Sequence, residues 1–130
     1  MPSIPPSIRV FSNESTLIMR WLNLENSGLP SLDVSDCTKL KTLYCHWSPG
    51  LRELKLGTNS TLSILYAHKT ALASLDISGC PILLDLYQNG TVTTYYDGDV
   101  LRFKKTGVAG ELYVNKNTVV IPAANPGYPD

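Results

Sequence analysis

The two histidines of this 130-residue chain are its only side chains that ordinarily titrate near neutral pH, and both fall in the same local phrase. Leu43-Tyr44-Cys45-His46 recurs 22 residues later as Leu65-Tyr66-Ala67-His68, and 21 residues beyond that as Leu86-Tyr87-Gln88-Asn89. In an extended strand successive side chains alternate between faces, so tyrosine and histidine, two apart, share one face while the apolar positions take the other. Strands one period apart, paired in parallel at ~4.8 Å, would stack Tyr44, Tyr66 and Tyr87 into an outward ladder. His46 and His68 would stack beside it, continued by Asn89. Such a strip offers rigid aromatic contact area and pH-sensitive polar contacts, which suits the binding of a partner. The same tyrosines would also serve a pleated, half-exposed surface as cross-strand pairs. Two histidines without a third ligand do not make a metal site, so no metal is expected.

Cys45 beside His46 invites a nucleophile–base reading, which the alternation rejects. Cys45 occupies the inward position that Val34, Leu56, Ala67 and Ile77 fill elsewhere, while His46 points the other way. Cys37, Cys45 and Cys80 form no C-x-x-C pair, so neither a disulfide framework nor a zinc knuckle is expected, and free buried thiols are. No G-x-S-x-G, phosphate-binding glycine loop, H-E-x-x-H or spaced carboxylate pair occurs. The expectation is a protein that is not an enzyme and takes no cofactor.

The elements that must position these residues follow from a wider repeat. Leu29, Leu32, Val34, Cys37 and Leu40 match Leu51, Leu54, Leu56, Asn59 and Leu62, and then Leu72, Leu75, Ile77, Cys80 and Leu83. The pattern is L-x-x-L-x-(L/V/I)-x-x-(N/C)-x-x-L, interleaved with the L-Y-x-H series. Strand-like L-x-φ units therefore begin at Leu22, Leu32, Leu43, Leu54, Leu65, Leu75 and Leu86. Two alternating units would make one coil, and stacked coils would bury leucine on leucine. Outside the second series stand Asp33, Lys55 and Asp76, opposite charges alternating as a stable ladder wants.

With LDVSDCTKLKTLYC over residues 32–45, the chain resembles the leucine-rich-repeat family, in particular the nested repeats of about 21 residues common in gut bacteria. The resemblance covers roughly residues 20–90. It implies a mainly β fold: a short solenoid of parallel strands, three to four coils long, with β-rich terminal caps. It also implies that the Asn/Cys position bonds backbone groups of the neighbouring turn. The strand before that position usually lines the docking face in the family, which makes Asp33, Lys55 and Asp76 contact candidates by analogy.

The flanks carry a different text. Residues 1–21, with Ile8-Arg9-Val10-Phe11 and Leu17–Leu22, are expected to form an N-terminal cap on the solenoid of residues 22–90. Residues 91–122 read as strands capping the other end, with hairpin turns at Asp97-Gly98 and Lys116-Asn117. Residues 123–130 read as an extended tail. Eleven basic residues balance eleven acidic ones, which gives no electrostatic reason to expect nucleic acid or membrane as partner. No run approaches the ~20 apolar residues of a membrane span. The opening MPSIPPSIRVFS lacks the pattern of a secretory signal. The compartment stays open: secreted or surface-bound if the chain is processed from a longer protein, cytoplasmic otherwise. The functional expectation is a protein-interaction module, with a protein partner ahead of a glycan. The alternative is a spacer or oligomerising part of a larger surface or phage-like assembly.

Overall fold

The computed structural model describes residues 8–9 and 19–122. Val10, Phe11, Leu17 and Ile18 of the expected N-terminal cap, and the expected tail at 123–130, lie outside the described residues. The described residues are mainly β, with mostly parallel strands and one short helix. In order the elements are β1 (Ile8–Arg9), β2 (Trp21–Asn23), β3 (Ser31–Asp33), β4 (Thr42–Tyr44), β5 (Glu53–Lys55), β6 (Ile64–Ala67) and β7 (Ser74–Asp76). Helix α1 (Pro81–Asn89) follows, then β8 (Thr91–Tyr95), β9 (Val100–Lys104), β10 (Glu111–Asn115) and β11 (Val119–Ile121).

Alternate strands pair in parallel, because apolar side chains spaced by one period must meet on one face. Leu32 lies opposite Leu54 in the β1-β3-β5 sheet. Leu43 lies opposite Leu65, and Leu22 opposite Leu43, in the six-stranded sheet β2-β4-β6-β10-β9-β8. The inward positions Leu32, Leu43, Leu54, Leu65, Leu75 and Leu86 are all buried in one core with Leu40, Leu51, Leu62, Leu72 and Leu83. Asn59, only 4% exposed, ties this core's turns together. Its Nδ2 donates to the Cys37 and Leu40 carbonyls at 3.1 and 3.2 Å, while its Oδ1 accepts from the Thr61 and Leu62 amides.

The expected strand at Leu86 is instead part of α1. Pro81 supplies a preset φ at the first turn of the helix, and its missing N–H is one that a helix start leaves unbonded anyway. Leu83, Leu86 and Tyr87 then fall three and four apart and are buried along one helical face. Gly90 ends the helix, where a Cβ would strike the Leu86 carbonyl oxygen to which its own N–H donates. With no strand at Leu86, the edge of β6 is taken by a strand of the flank, and a second one pairs with β7 in a separate sheet. β10 pairs in parallel with β6, Tyr113 opposite Tyr66, and β11 pairs in parallel with β7, Val120 opposite Leu75.

β8 and β9 form an antiparallel hairpin closed through Tyr96–Asp99. There Tyr96, Asp97 and Gly98 all have positive φ. Lys116-Asn117, read as a hairpin turn, joins strands of different sheets instead: β11 lies on β7, not on β10. That departure arises because β10 already has both neighbours, β6 and β9.

Candidate functional site

The outward face of β4, β6 and β10 carries a continuous aromatic row. Tyr44 and Tyr66 have ring centroids 4.6 Å apart, and Tyr66 and Tyr113 4.7 Å. Beside them His46 and His68 stack at 4.8 Å with planes 18° apart. Tyr44, His46, Tyr66 and His68 therefore come together as the spacing implied. Tyr87 and Asn89 do not. Tyr87 sits on α1, 2% exposed, packed edge-on against Phe103 at 4.9 Å, and Asn89 donates to Asp85 within the helix at 2.8 Å. Their places are taken by Tyr113 and Asn115. Asn115 accepts the Lys69 amide on Oδ1 at 2.7 Å and donates to the Thr70 carbonyl at 2.7 Å.

The strip is not an open, flat surface. His68 is only 5% exposed. The floor of a cavity of about 340 Å³ is made by His46, Tyr66, His68 and Tyr113, and its rim by Trp47, Tyr95 and Tyr96. Both histidines leave Nδ1 buried without a hydrogen-bond partner. An imidazolium there would have to bury an unbonded charged N–H, so the neutral ring is favoured. Burial lowers His68 to about 4, helped by the neighbouring His46 and Lys69. Burial also lowers His46, against the opposing pull of Glu25, whose Oε2 lies 3.6 Å from Nε2. Around the floor the polar groups are already engaged. The Tyr66 hydroxyl donates to Glu111 at 3.3 Å, and Arg102 donates from Nε to Glu111 at 2.8 Å and from a terminal nitrogen to the Tyr95 hydroxyl at 3.2 Å. Burial and the Glu111 charge push the Tyr66 phenol up to about 12, so it stays a hydroxyl.

The rim holds a second arrangement that the sequence reading missed. Asn26, Trp47 and Lys69 occupy the same turn in successive units and all have left-handed φ, at 55°, 55° and 57°. The turn sends each amide across to the next unit: Asn26 N–H to the His46 carbonyl at 3.0 Å, and Trp47 N–H to the His68 carbonyl at 3.1 Å. Asparagine tolerates this conformation, whereas a left-handed residue of bulkier type costs about 1–2 kcal/mol. Tyr96, on the facing hairpin, is left-handed too, at 52°. Trp47 and Tyr96 meet at right angles, centroids 5.7 Å apart, and Lys69 Nζ lies 5.6 and 4.9 Å from the two centroids. The available signal was the 21- and 22-residue spacing of positions 26, 47 and 69, with tryptophan where the turn favours asparagine.

The second candidate strip reads differently in three dimensions. Asp33 Oδ1 accepts from both the backbone and the hydroxyl of Ser35, at 2.9 and 2.6 Å, and Asp76 does the same with Ser78, at 2.9 and 2.6 Å. The Ser78 bonds hold the Asp76 carboxyl below its ordinary value. In the middle unit the position of that serine is Gly57, at φ 67°, where a Cβ would press on Ser35. The Asp-x-Ser segments are thus turn-forming devices. Lys55 lies opposite Asp33 but in a different sheet from Asp76, with a shallow cleft between β5 and β7 lined by Lys55, Thr58, Asp76 and Ser78.

Cys37, Cys45 and Cys80 are free and buried. Burial pushes the Cys45 thiol up to about 12 and the Cys80 thiol to about 11, and Cys45 donates weakly to the Tyr66 carbonyl. A thiol so held is a poor nucleophile. Among the described residues no group of three or more His, Cys, Asp or Glu could hold a metal ion. No helix of the described residues is long and apolar enough to cross a membrane. No protein-family model, curated protein or solved structure matches the chain.

Proposed function

We propose that this chain is a non-enzymatic binding module of leucine-rich-repeat type, a short solenoid that docks a macromolecular partner in the aromatic groove of Tyr66, His68 and Tyr113. The observation that carries the reading is Trp47. A large aromatic side chain stands 43% exposed at the groove's rim on a turn whose backbone favours asparagine. Stability alone does not select such a residue, whereas a docking surface does. Support for the solenoid comes from the parallel register of leucine on leucine, one period apart, in two sheets. A protein partner is what the resemblance implies, whereas the groove's own side chains bear on the ligand class independently of it.

The test compares capture of partners by the wild-type chain with capture by Tyr66→Ala and Lys55→Ala. A partner held at the groove is lost with Tyr66→Ala, by ~2 kcal/mol or more, and retained with Lys55→Ala. Loss with Lys55→Ala alone would move the site to the Asp33–Lys55–Asp76 side. The second reading, an oligomerising part of a larger assembly, is favoured by one feature: Val119 and Ile121 of β11, 63% and 43% exposed, present a small apolar face. A concentration-dependent mass in light scattering, abolished by Val119→Lys, would support it.

A further inference from the structure

We propose that the groove holds an acidic sugar residue of a glycan, its ring against Trp47 and Tyr96 and its carboxylate on Lys69. This assignment rests on the binding reading above and names the ligand class. Three features of the groove select it.

The first is what the floor lacks. β4, β6 and β10 each have a hydrogen-bonded strand on both sides. The groove lies over their faces and offers side chains only. A peptide laid along it would bury amide N–H and C=O groups with no main-chain partner, which is costly. A pyranose carries no amide chain: its C–H faces meet aromatic rings, and its hydroxyls pair with side-chain donors and acceptors such as the Tyr95 hydroxyl. The second is what the rim already contains. The Lys69 ammonium lies over both Trp47 and Tyr96, so a cationic ligand would meet a like charge at the rings that would otherwise attract it.

The third is the sign of the remaining demand. Among the described residues Glu111 pairs with Arg102 and Asp85 with Lys105, while Glu25 lies 3.6 Å from the neutral His46 ring. None involves Lys69. Glu111, beside the floor, is taken up by Arg102 and Tyr66. The Tyr95 hydroxyl accepts from Arg102 and keeps its own proton to donate. The Lys69 ammonium, without an acidic partner, and the Tyr95 hydroxyl proton are the donors left at the rim, complementary to an acceptor-rich, negatively charged ring. The strained backbone falls on the same three residues, Trp47, Lys69 and Tyr96. Asn26, at the equivalent turn away from the groove, is the unstrained choice.

The experiment is calorimetric titration of the full chain with four probes: a uronic-acid oligosaccharide, its carboxyl-reduced counterpart, a sialylated trisaccharide and a polyglutamate peptide. At least one acidic saccharide is expected to bind, the reduced one at least tenfold more weakly than its parent, and the peptide not at all. Trp47→Asn, which places at this turn the residue that Asn26 already provides, should fold with unchanged or raised melting temperature and lose binding. Lys69→Met should bring the acidic probe down to the affinity of the reduced one and leave the latter unchanged. Equal binding of the acidic and reduced probes overturns the carboxylate contact. Preferential binding of the peptide overturns the sugar assignment, as does unaltered binding by Trp47→Asn. If no saccharide binds while Tyr66→Ala still releases a captured partner, the sugar assignment falls and the binding reading stands. If Tyr66→Ala releases nothing either, both fall.

Discussion

Replacing Asn59 by alanine removes a side chain that satisfies two turns at once, and the loss can be worked from its bonds. The two carbonyls it serves keep other donors: that of Cys37 accepts from the Leu40 amide at 3.2 Å, and that of Leu40 from the Thr61 hydroxyl at 3.0 Å. The amides of Thr61 and Leu62 have Asn59 Oδ1 as acceptor, at 2.9 and 3.1 Å. Thr61 is half-buried, so water can replace part of its bond. Leu62 is 1% exposed, so its amide would be left buried and unbonded. An orphaned buried donor costs about 1–3 kcal/mol and each ordinary bond lost about 1 kcal/mol, which puts Asn59→Ala at about 3 kcal/mol. Urea unfolding followed by circular dichroism measures it. With a slope of about 1.5 kcal/mol/M, the midpoint should fall by about 2 M at unchanged slope. Ser60→Ala, at the exposed neighbour, should stay within about 0.5 kcal/mol of wild type. A loss for Asn59→Ala below about 1 kcal/mol would refute the claim that this side chain holds adjacent turns together.

Leu54→Ala, in the middle of the core, should cost ~2–5 kcal/mol in the same assay; under ~1 kcal/mol would mean that the leucine register does not form the core. A thiol reagent should find almost nothing to react with in the native chain and three groups in the denatured, unreduced chain, since all three cysteines are free and buried. A count of one would contradict their separation. His68, held at about 4 by burial against about 6.5 when unfolded, leaves the unfolded state binding the extra proton between those values. Its contribution is complete above pH 6.5 and is lost as pH falls to 4, by up to about 3 kcal/mol. His68→Gln should flatten most of that slope, leaving the share of His46, and an unchanged slope would mean that His68 is accessible to protons in the folded state.

Where one rule alone governs a position, the sequence was sufficient. Period-2 apolar pairs flanked by turn residues put strands at Leu22, Leu32, Leu43, Leu54, Leu65 and Leu75, because only one face of each could be buried. At Leu86 two rules met. The spacing Leu83-x-x-Leu86 fits a turn followed by a strand, as in Leu40-x-x-Leu43, and fits a helical face equally well. Pro81 decides between them: it starts a helix readily and ends the extended run after Cys80. In the sequence Asp33 and Asp76 are charge on a face, since nothing in a spacing tells whether a carboxylate points to solvent or back to its own turn.

The relocation of one element explains why half of the candidate site was illegible. With α1 in place of a seventh strand, the edge of β6 is left for whichever later strand can present an apolar inner face to Leu65 and Ala67. β10 does so with Leu112 and Val114, both fully buried. Tyr113, between them, must then point outward against Tyr66; β9 follows as the antiparallel neighbour of β10, and β8 as that of β9. That chain of pairings carries the β8–β9 turn over the histidines and sets Tyr95 and Tyr96 opposite Trp47 and Lys69. Each step is local, but the outcome joins residues from both ends of the described chain. Tyr44, His46, Tyr66 and His68 could be found by period because they share one repeat. Tyr95, Tyr96 and Tyr113 could not, because their positions follow from which strand edge α1 leaves open.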